Sequence, residues 1–151
     1  MTRLLGVDLG DRRVGVAVGD EADQTARALT TFRRGTIDED AAVVARLASE
    51  QRAAGLVVGL PLDMRGTEGP QAERTRAWGT AIAARTALAL TWRDERLTTA
   101  AAEAALGPMR AALGSASPTR AAIRARRNRV DRDAATRILQ AELDARAGIR
   151  S

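Results

Sequence analysis

The stretch TRLLGVDLGDRRVGVAVGD (residues 2–20) decides the fold, because it contains two apolar runs joined by a tight turn. The runs at 3–9 and 13–18 predict two strands, and the glycine and aspartate between them favour a hairpin with Asp11 as a turn former. One acid, Asp8, interrupts the first run. Burial of an unpaired carboxylate costs several kcal/mol, so Asp8 needs a charged partner, a metal ion or a position at the end of the sheet.

Further elements follow from the periodicity of the chain. A weaker strand is predicted near 27–33, a helix from Ile37, a buried strand at 56–60, a helix at 68–85 and a strand at 88–92. Thr98 or Thr99 then caps an alanine-rich helix. This order predicts an α/β fold with a five-stranded mixed sheet, an antiparallel three-strand meander plus parallel strands, flanked by helices on both faces. The whole chain, 1–151, fits a single domain.

The last third of the chain is strongly basic. Eight arginines and two acids lie between residues 110 and 137, in a chain with a net charge of +5. This pattern is typical of a protein that binds phosphate backbones, although a solvated arginine-rich face is the alternative. Residues 114–128 predict a mobile loop with one helical turn, followed by a final helix from about Val130 to Ala145. We expect the loop, with Arg129, to close over bound nucleic acid.

The composition excludes several kinds of chemistry. The sequence has no cysteine, histidine or lysine, which removes disulfides, zinc fingers, thiol nucleophiles, imidazole bases and Schiff-base lysines. Its three aromatic residues supply few platforms for base stacking, so readout of backbone and shape is expected. No run of the sequence resembles a secretory segment or a membrane span, which predicts a cytoplasmic protein without a membrane partner.

Three acids are predicted to converge. Asp8 lies at the carboxyl end of the first strand, and Asp94 and Glu95 follow the strand LALTWR. Parallel strands end at the same side of the sheet, so these acids are expected to be neighbours. Asp131 is placed toward the sheet by its helical spacing to an apolar face formed by Ala134, Ala135, Ile138 and Leu139.

Such a cluster repels itself. At about 4 Å, each pair of carboxylates costs up to ~4 kcal/mol at an effective dielectric constant of ~20. Mg²⁺ or Mn²⁺ would neutralise the group, and two such ions can support phosphodiester hydrolysis. Each acid also has a structural interpretation; Asp94, for example, could pair with Arg93 or Arg96 at the surface.

Four ordered blocks carry a resemblance: GVDLGDRRVGVAV (6–18), VVGLPLDMRGTEG (57–69), DERLTTAAAE (94–103) and VDRDAATRIL (130–139). Together they resemble the YqgF (RuvX) family, which is related to Holliday-junction resolvases in the ribonuclease H-like superfamily. The resemblance implies a ribonuclease H-like fold, a nuclease that uses Mg²⁺ or Mn²⁺, and trimming of the 5′ end of precursor 16S rRNA. The acids of the family pattern fall on Asp8, Glu95 and Asp131, as catalytic residues and metal ligands. Where the family usually has phenylalanine, this chain has Trp78, which is expected to be a core substitution.

Arginines are the expected contacts to nucleic acid. Arg13 and Arg96 are candidates to assist the phosphate, and the basic segment supplies Arg124, Arg126, Arg127 and Arg129. The substrate is precursor rRNA or branched DNA, and the protein acts as a monomer or a homodimer, since a two-fold-symmetric junction would demand a dimer. Two alternatives remain open: a non-catalytic RNA-binding assembly factor, and an actin-like ATPase fragment, because DLGDRRVGVAVGD also resembles the phosphate-binding hairpin of such folds.

Overall fold

The computed structural model describes residues 2–94 and 120–150, and in the last helix it describes the side chains of residues 133–148. The chain begins with three strands and continues with alternating helices and strands. The elements are β1 (Arg3–Leu9), β2 (Arg13–Asp20), β3 (Thr25–Arg33), α1 (Ile37–Gln51), β4 (Gly55–Leu60), α2 (Pro70–Thr86), β5 (Ala89–Asp94) and α3 (Arg120–Arg150).

The five strands form one sheet in the order β3-β2-β1-β4-β5. Strands β1, β2 and β3 are antiparallel neighbours, whereas β4 lies parallel to both β1 and β5. This arrangement confirms the predicted mixed sheet with an antiparallel meander. The carboxyl ends of β1, β4 and β5 therefore lie at the same end of the sheet, called here the carboxyl edge.

Each face of the sheet packs against different helices. Alternate residues of the strands, such as Leu5, Val7 and Val16, pack with α1 and α2 in the larger core cluster. The intervening residues, such as Leu4 and Val57, pack with α3 in a second cluster. The apolar face predicted from Asp131 is confirmed, because its four members, Ala134, Ala135, Ile138 and Leu139, are all buried. Helices thus cover both faces, as predicted.

Several predicted boundaries were wrong, among them the end of β2, which lies at Asp20, and the end of α3, which lies at Arg150. Strand β5 continues to Asp94, because Arg93 and Asp94 still pair with Gly59 and Leu60 of β4. Helix α3 begins at Arg120, ten residues before the predicted start. Residues 120–129 are rich in alanine and arginine and contain neither glycine nor proline, so their intrinsic preference is helical. The predicted loop therefore cannot extend to residue 129, and its remaining residues, 114–119, lie outside the described residues.

The predicted core role of Trp78 is confirmed. Its side chain is buried in the cluster beneath α1 and α2, and its indole Nε1 donates a hydrogen bond of 3.0 Å to Asp40 Oδ2. The other oxygen of Asp40 accepts from the backbone N–H of Gly35 at 2.8 Å. One oxygen of this buried acid thus joins α2 to α1, and the other joins α1 to the segment that precedes it. Among the described helices, none is long and apolar enough to cross a membrane.

Polar contacts fix the carboxyl-terminal half of α3 on the sheet. Arg146 donates to Glu142 Oε2 and to Glu21 Oε1, both at 2.8 Å, and Glu142 Oε1 lies 3.6 Å from Arg93 Nη1. The hydrogen bond to Glu142 is the main reason that the pKa of Arg146 is raised above its ordinary value. On the other side of the helix, Gln140 accepts from the backbone N–H of Ala26 at 2.9 Å. Contacts on both sides of the helix therefore limit its rotation and sliding.

Candidate active site

Asp8 lies in a row of residues that crosses the sheet on the face packed against α3. The register pairs Asp8 with Gly15 of β2, and Gly15 with Thr31 of β3. On the other side, Asp8 lies beside Gly59 of β4, one residue beyond the Val7–Val58 pair, and Gly59 pairs with Arg93. The order Thr31, Gly15, Asp8, Gly59, Arg93 is called here the Asp8 row. Both direct neighbours of Asp8 in this row are glycines, so no side chain lies directly opposite its half-buried carboxylate on either adjoining strand.

Helix α3 runs across this face toward Asp8. A Cβ atom on Gly19 would lie 2.9 Å from Leu143 Cδ1, and one on Gly6 would lie 2.6 Å from Leu139 Cβ and 2.9 Å from the carbonyl oxygen of Ala135. Gly19 is the cross-strand partner of Leu4. From Leu4 to Gly6 of β1, the helix residues that contact the sheet therefore change from Leu143 to Leu139 and Ala135, toward the amino-terminal end of α3. Two strand residues rise about 6.8 Å and one helical turn about 5.4 Å. The turn that precedes Ala135, which carries residue 131, therefore continues toward Asp8.

The three predicted acids are only partly covered by the structure. Asp8 is at the carboxyl edge, as expected for the end of β1. Asp131 belongs to α3, but its side chain is outside the described part. Glu95 follows Asp94, the last residue of β5, and lies outside the described residues. Among the side chains that the structure describes, no group of three acids forms a metal site.

The donor chemistry at Asp8 nevertheless fits a hard divalent cation. A carboxylate oxygen is the ligand type that Mg²⁺ and Mn²⁺ prefer. The two glycines beside it place no side chain directly next to that carboxylate in the row. The residues present at this point of the sheet are therefore compatible with the predicted metal.

Of the arginines predicted to contact nucleic acid, the structure describes the side chain of Arg13. Arg13 begins β2 on the same face as Asp8, two residues from Gly15, so its Cα atom is a diagonal neighbour about 7–8 Å from that of Asp8. Arg13 Nη1 is buried and has no hydrogen-bond partner within the described residues. Arg96 lies outside the described residues. The backbone of α3 includes the positions of Arg124, Arg126, Arg127 and Arg129, whose side chains are not described.

The glycine-rich turn after β4 has a structural explanation. The backbone N–H groups of Arg65 and Thr67 both donate to Asp63 Oδ1, at 2.9 and 2.8 Å, and Gly66 adopts a φ of 80°. These two N–H groups are thus occupied by a carboxylate of the chain itself. The turn satisfies its own backbone groups, so it is a weaker candidate for phosphate binding than the Asp8 row.

Two residues near Asp8 were missed by the sequence analysis. Thr31 ends the Asp8 row, and its Oγ1 is buried without a hydrogen-bond partner in the described part of the chain. Arg33 pairs directly with Arg13. The signal was present as two Arg-Arg pairs, at 12–13 and 33–34, but only the strand register brings them together.

Comparison with known proteins agrees with this geometry. The family model described as RuvX, Holliday junction resolvase, matches residues 2–145. The chain belongs to the RuvX family. Membership of this family makes it a nuclease, a hydrolase that acts on ester bonds. A relative from Anaeromyxobacter dehalogenans, named as a candidate pre-16S rRNA nuclease, is 45% identical over 145 residues, which cover 96% of this chain and 98% of the relative. A relative of the same name from Nitrobacter winogradskyi is 42% identical over 142 residues, which cover 93% of this chain and 80% of that relative.

Solved structures of resolvases share the fold. RuvC of T. thermophilus in complex with a Holliday junction substrate aligns with a TM-score of 0.57 and 17% identity, over 98% of this chain and 97% of RuvC. The Fowlpox virus resolvase with Holliday junction DNA aligns with a TM-score of 0.53 and 10% identity, over 95% and 98%. At these identities the likeness concerns the fold alone, which is ribonuclease H-like.

Proposed function

We propose that this nuclease is a divalent-metal-dependent endonuclease that processes the 5′ end of precursor 16S rRNA, with Asp8, Glu95 and Asp131 as its metal ligands and catalytic residues. The relatives that match nearly the whole chain carry the name of a pre-16S rRNA nuclease, which favours this substrate. Such a substrate would place the protein in the cytoplasm.

The observation that carries the proposal is the position of Asp8. Its carboxylate is at the carboxyl edge, between two glycines, on the face that α3 crosses. The direction of α3 brings the turn with residue 131 toward it, and β5 ends one residue before Glu95. The end of β1, the turn of α3 that carries residue 131 and the end of β5 thus approach the same edge of the sheet, which supports a joint role for the three acids.

The chain's own groups would bind and orient the substrate there. Arg13, a diagonal neighbour of Asp8 with a buried and unpartnered Nη1, is placed to donate to a phosphate oxygen. The acids would hold one or two cations, and a bound cation would supply stabilisation of the negative charge that develops during hydrolysis. Without cations, the three carboxylates would repel the phosphate as well as each other.

A second substrate is favoured by a specific observation. The family model is described as a Holliday junction resolvase, and the fold resembles that of RuvC. Cleavage of a two-fold-symmetric junction requires two active sites related by symmetry, and hence a homodimer. Trimming of an rRNA end requires only one. The oligomeric state on the substrate therefore separates the two proposals.

The test is a cleavage assay on precursor 16S 5′ ends, four-way DNA junctions and single strands, with Mg²⁺, Mn²⁺ or chelator. We expect metal-dependent cleavage of the rRNA precursor, and Asp8→Asn should reduce its rate more than ~100-fold, since even groups that merely orient a metal ligand contribute about 10–100-fold. Asp11→Asn is the matched control, because Asp11 is an exposed acid in the turn of the same hairpin.

The possible outcomes are distinct. Full activity of Asp8→Asn, or activity in chelator, would contradict the metal site. Preferred cleavage of four-way junctions by a dimer would favour the resolvase. Binding of precursor rRNA without cleavage under any condition would point to an assembly factor, and hydrolysis of ATP in the same assays would indicate the ATPase alternative.

A further inference from the structure

Four arginines meet at one corner of the sheet, beside the Asp8 row. Arg12 and Arg13 lie at the end of the β1–β2 hairpin, and Arg33 and Arg34 lie at the end of β3. The backbone N–H of Arg34 donates to the carbonyl oxygen of Arg12 at 2.8 Å. The guanidinium of Arg34 donates to the carbonyl oxygen of Gly10 at 2.9 Å. The main chain thus holds these four residues, called here the basic corner, together.

The basic corner contains an unfavourable contact. Arg13 and Arg33 are direct cross-strand partners, and like charges in that position destabilise a sheet. Within the described residues, no carboxylate forms an ion pair with Arg12, Arg13 or Arg33. Arg13 Nη1 and Thr31 Oγ1 are also buried there without hydrogen-bond partners in the described part of the chain. A bound anion would relieve the repulsion between Arg13 and Arg33.

The nearest acids of the following helix are already engaged. Asp38 pairs with Arg85 at 2.8 Å, and Glu39 completes the capping box of α1 by accepting from the backbone N–H of Thr36. Asp40 is buried and accepts from Trp78 and Gly35. None of these three neutralises the basic corner through the contacts it makes.

We propose that the basic corner and Thr31 form a second phosphate-binding position, next to the one at Asp8, through which the nucleic-acid strand passes over β2 and β3. This inference rests on the proposed nuclease function, since it deepens the description of the same site. It adds Arg12, Arg33, Arg34 and Thr31 to the contacts predicted from the sequence. The ligand chemistry is the phosphodiester backbone, which RNA and DNA share.

The test measures binding and not cleavage. Labelled single strands of RNA and DNA with the same sequence are titrated in chelator, between about 50 and 200 mM salt. The double variant Arg12→Gln/Arg33→Gln removes two exposed charges of the corner. We expect its dissociation constant to rise about ten-fold, and the slope of log K against log salt to fall in magnitude by ~0.7 for each arginine that contacts the single strand.

The matched control is Arg27→Gln/Arg46→Gln. It also removes two positive charges, one from the opposite end of β3 and one from α1, where Arg46 pairs with Glu50 at an exposed position. If the Arg12/Arg33 double variant loses no more affinity than the control, the proposed phosphate-binding position at the basic corner is wrong and the nuclease proposal stands. If the unchanged protein binds neither strand in chelator and also binds neither strand when Mg²⁺ is present, the corner and the proposed function fail together. Tighter binding of one strand type in both the protein and its control identifies the preferred backbone.

Thr31→Val separates a ligand contact from a structural role. It removes the buried hydroxyl and keeps the shape of the side chain. Because that hydroxyl has no partner, we expect the melting temperature to rise by a few degrees while affinity falls about two- to five-fold. A lower melting temperature with unchanged affinity would show that the hydroxyl stabilises the fold, and would remove Thr31 from the site.

Discussion

The two faces of the sheet differ in kind, although the same strands build both. On the face toward α1 and α2, β1 and β2 supply a run of large apolar residues between the polar Arg3–Asp20 pair and the carboxyl edge: Leu5, Val7, Leu9, Val14, Val16 and Val18. On the face toward α3, the same strands supply Leu4, Gly6 and Asp8, and Arg13, Gly15, Ala17 and Gly19. The first face is a continuous hydrophobic core. The second is apolar only toward the start of β1, and becomes small and polar toward the carboxyl edge.

This difference shows how a small domain can carry a charged site. Burial of apolar side chains on one face supplies most of the stabilisation, at about 25 cal/mol per Å². The other face can then use glycines in place of larger side chains, and at Gly6 and Gly19 this allows α3 to approach the sheet closely. One face is therefore expected to respond to substitution mainly in stability, and the other mainly in activity.

The strongest test of this division uses two adjacent residues of β1. Val7 is fully buried on the first face, so Val7→Asp would bury an unpaired charge and should lower the free energy of unfolding by more than ~4 kcal/mol. Asp8→Asn, on the second face, should stay within ~1 kcal/mol of the unchanged protein while abolishing cleavage. Urea unfolding followed by circular dichroism gives the stabilities. Similar losses of stability in both variants would show that the division is wrong.

A smaller effect is expected from the contact between β1 and α3. The Cβ atom of Gly6→Ala would lie within 2.6–2.9 Å of α3, so the helix must shift, at a cost of about 1–3 kcal/mol. Because α3 carries Asp131, the cleavage rate should also fall, by up to ~100-fold for a displacement of about 1 Å.

Gly148→Ala is the control in the same helix. Within the part of the chain that the structure describes, no atom outside the local helix backbone lies within 4 Å of the Cβ position at Gly148, so this change should be neutral or stabilising by up to ~1 kcal/mol, with normal cleavage. If Gly6→Ala has the same free energy of unfolding and the same cleavage rate as the unchanged protein, the close approach of α3 does not position the site.

The smallest effect is expected at the buried hydrogen bond of the first face. Trp78→Phe leaves Asp40 Oδ2 without its donor and should cost about 1–2 kcal/mol, which lowers the melting temperature by several degrees and leaves cleavage unchanged. In an Asp40→Ala background the same change should cost less, as a double-mutant cycle would measure. A loss of cleavage without a loss of stability would connect this face to the site after all.

Much of this architecture was readable from the sequence because it depends on local pattern. The apolar runs and turn residues predicted all five strands, and the helical spacing after Asp131 predicted which side of α3 faces the sheet. The end of β5 and the start of α3 were misjudged. Pairing with β4 extends β5 through two charged residues. In the basic segment, the helical preference of alanine and arginine decides the structure of residues 120–129, which the sequence analysis had assigned to a loop.

The sequence by itself thus determined the mixed α/β sheet and Asp8 as the unusual acid in a core strand. The place of Asp8 at the carboxyl edge also follows from sequence, since parallel strands must end together. Only the tertiary structure decided what surrounds it. The register of β3 on β2 set Arg33 against Arg13 and Thr31 in the Asp8 row, and the fit of α3 over Gly6 fixed the line of that helix. Register and helix packing depend on contacts between residues far apart in the chain, which no local pattern encodes.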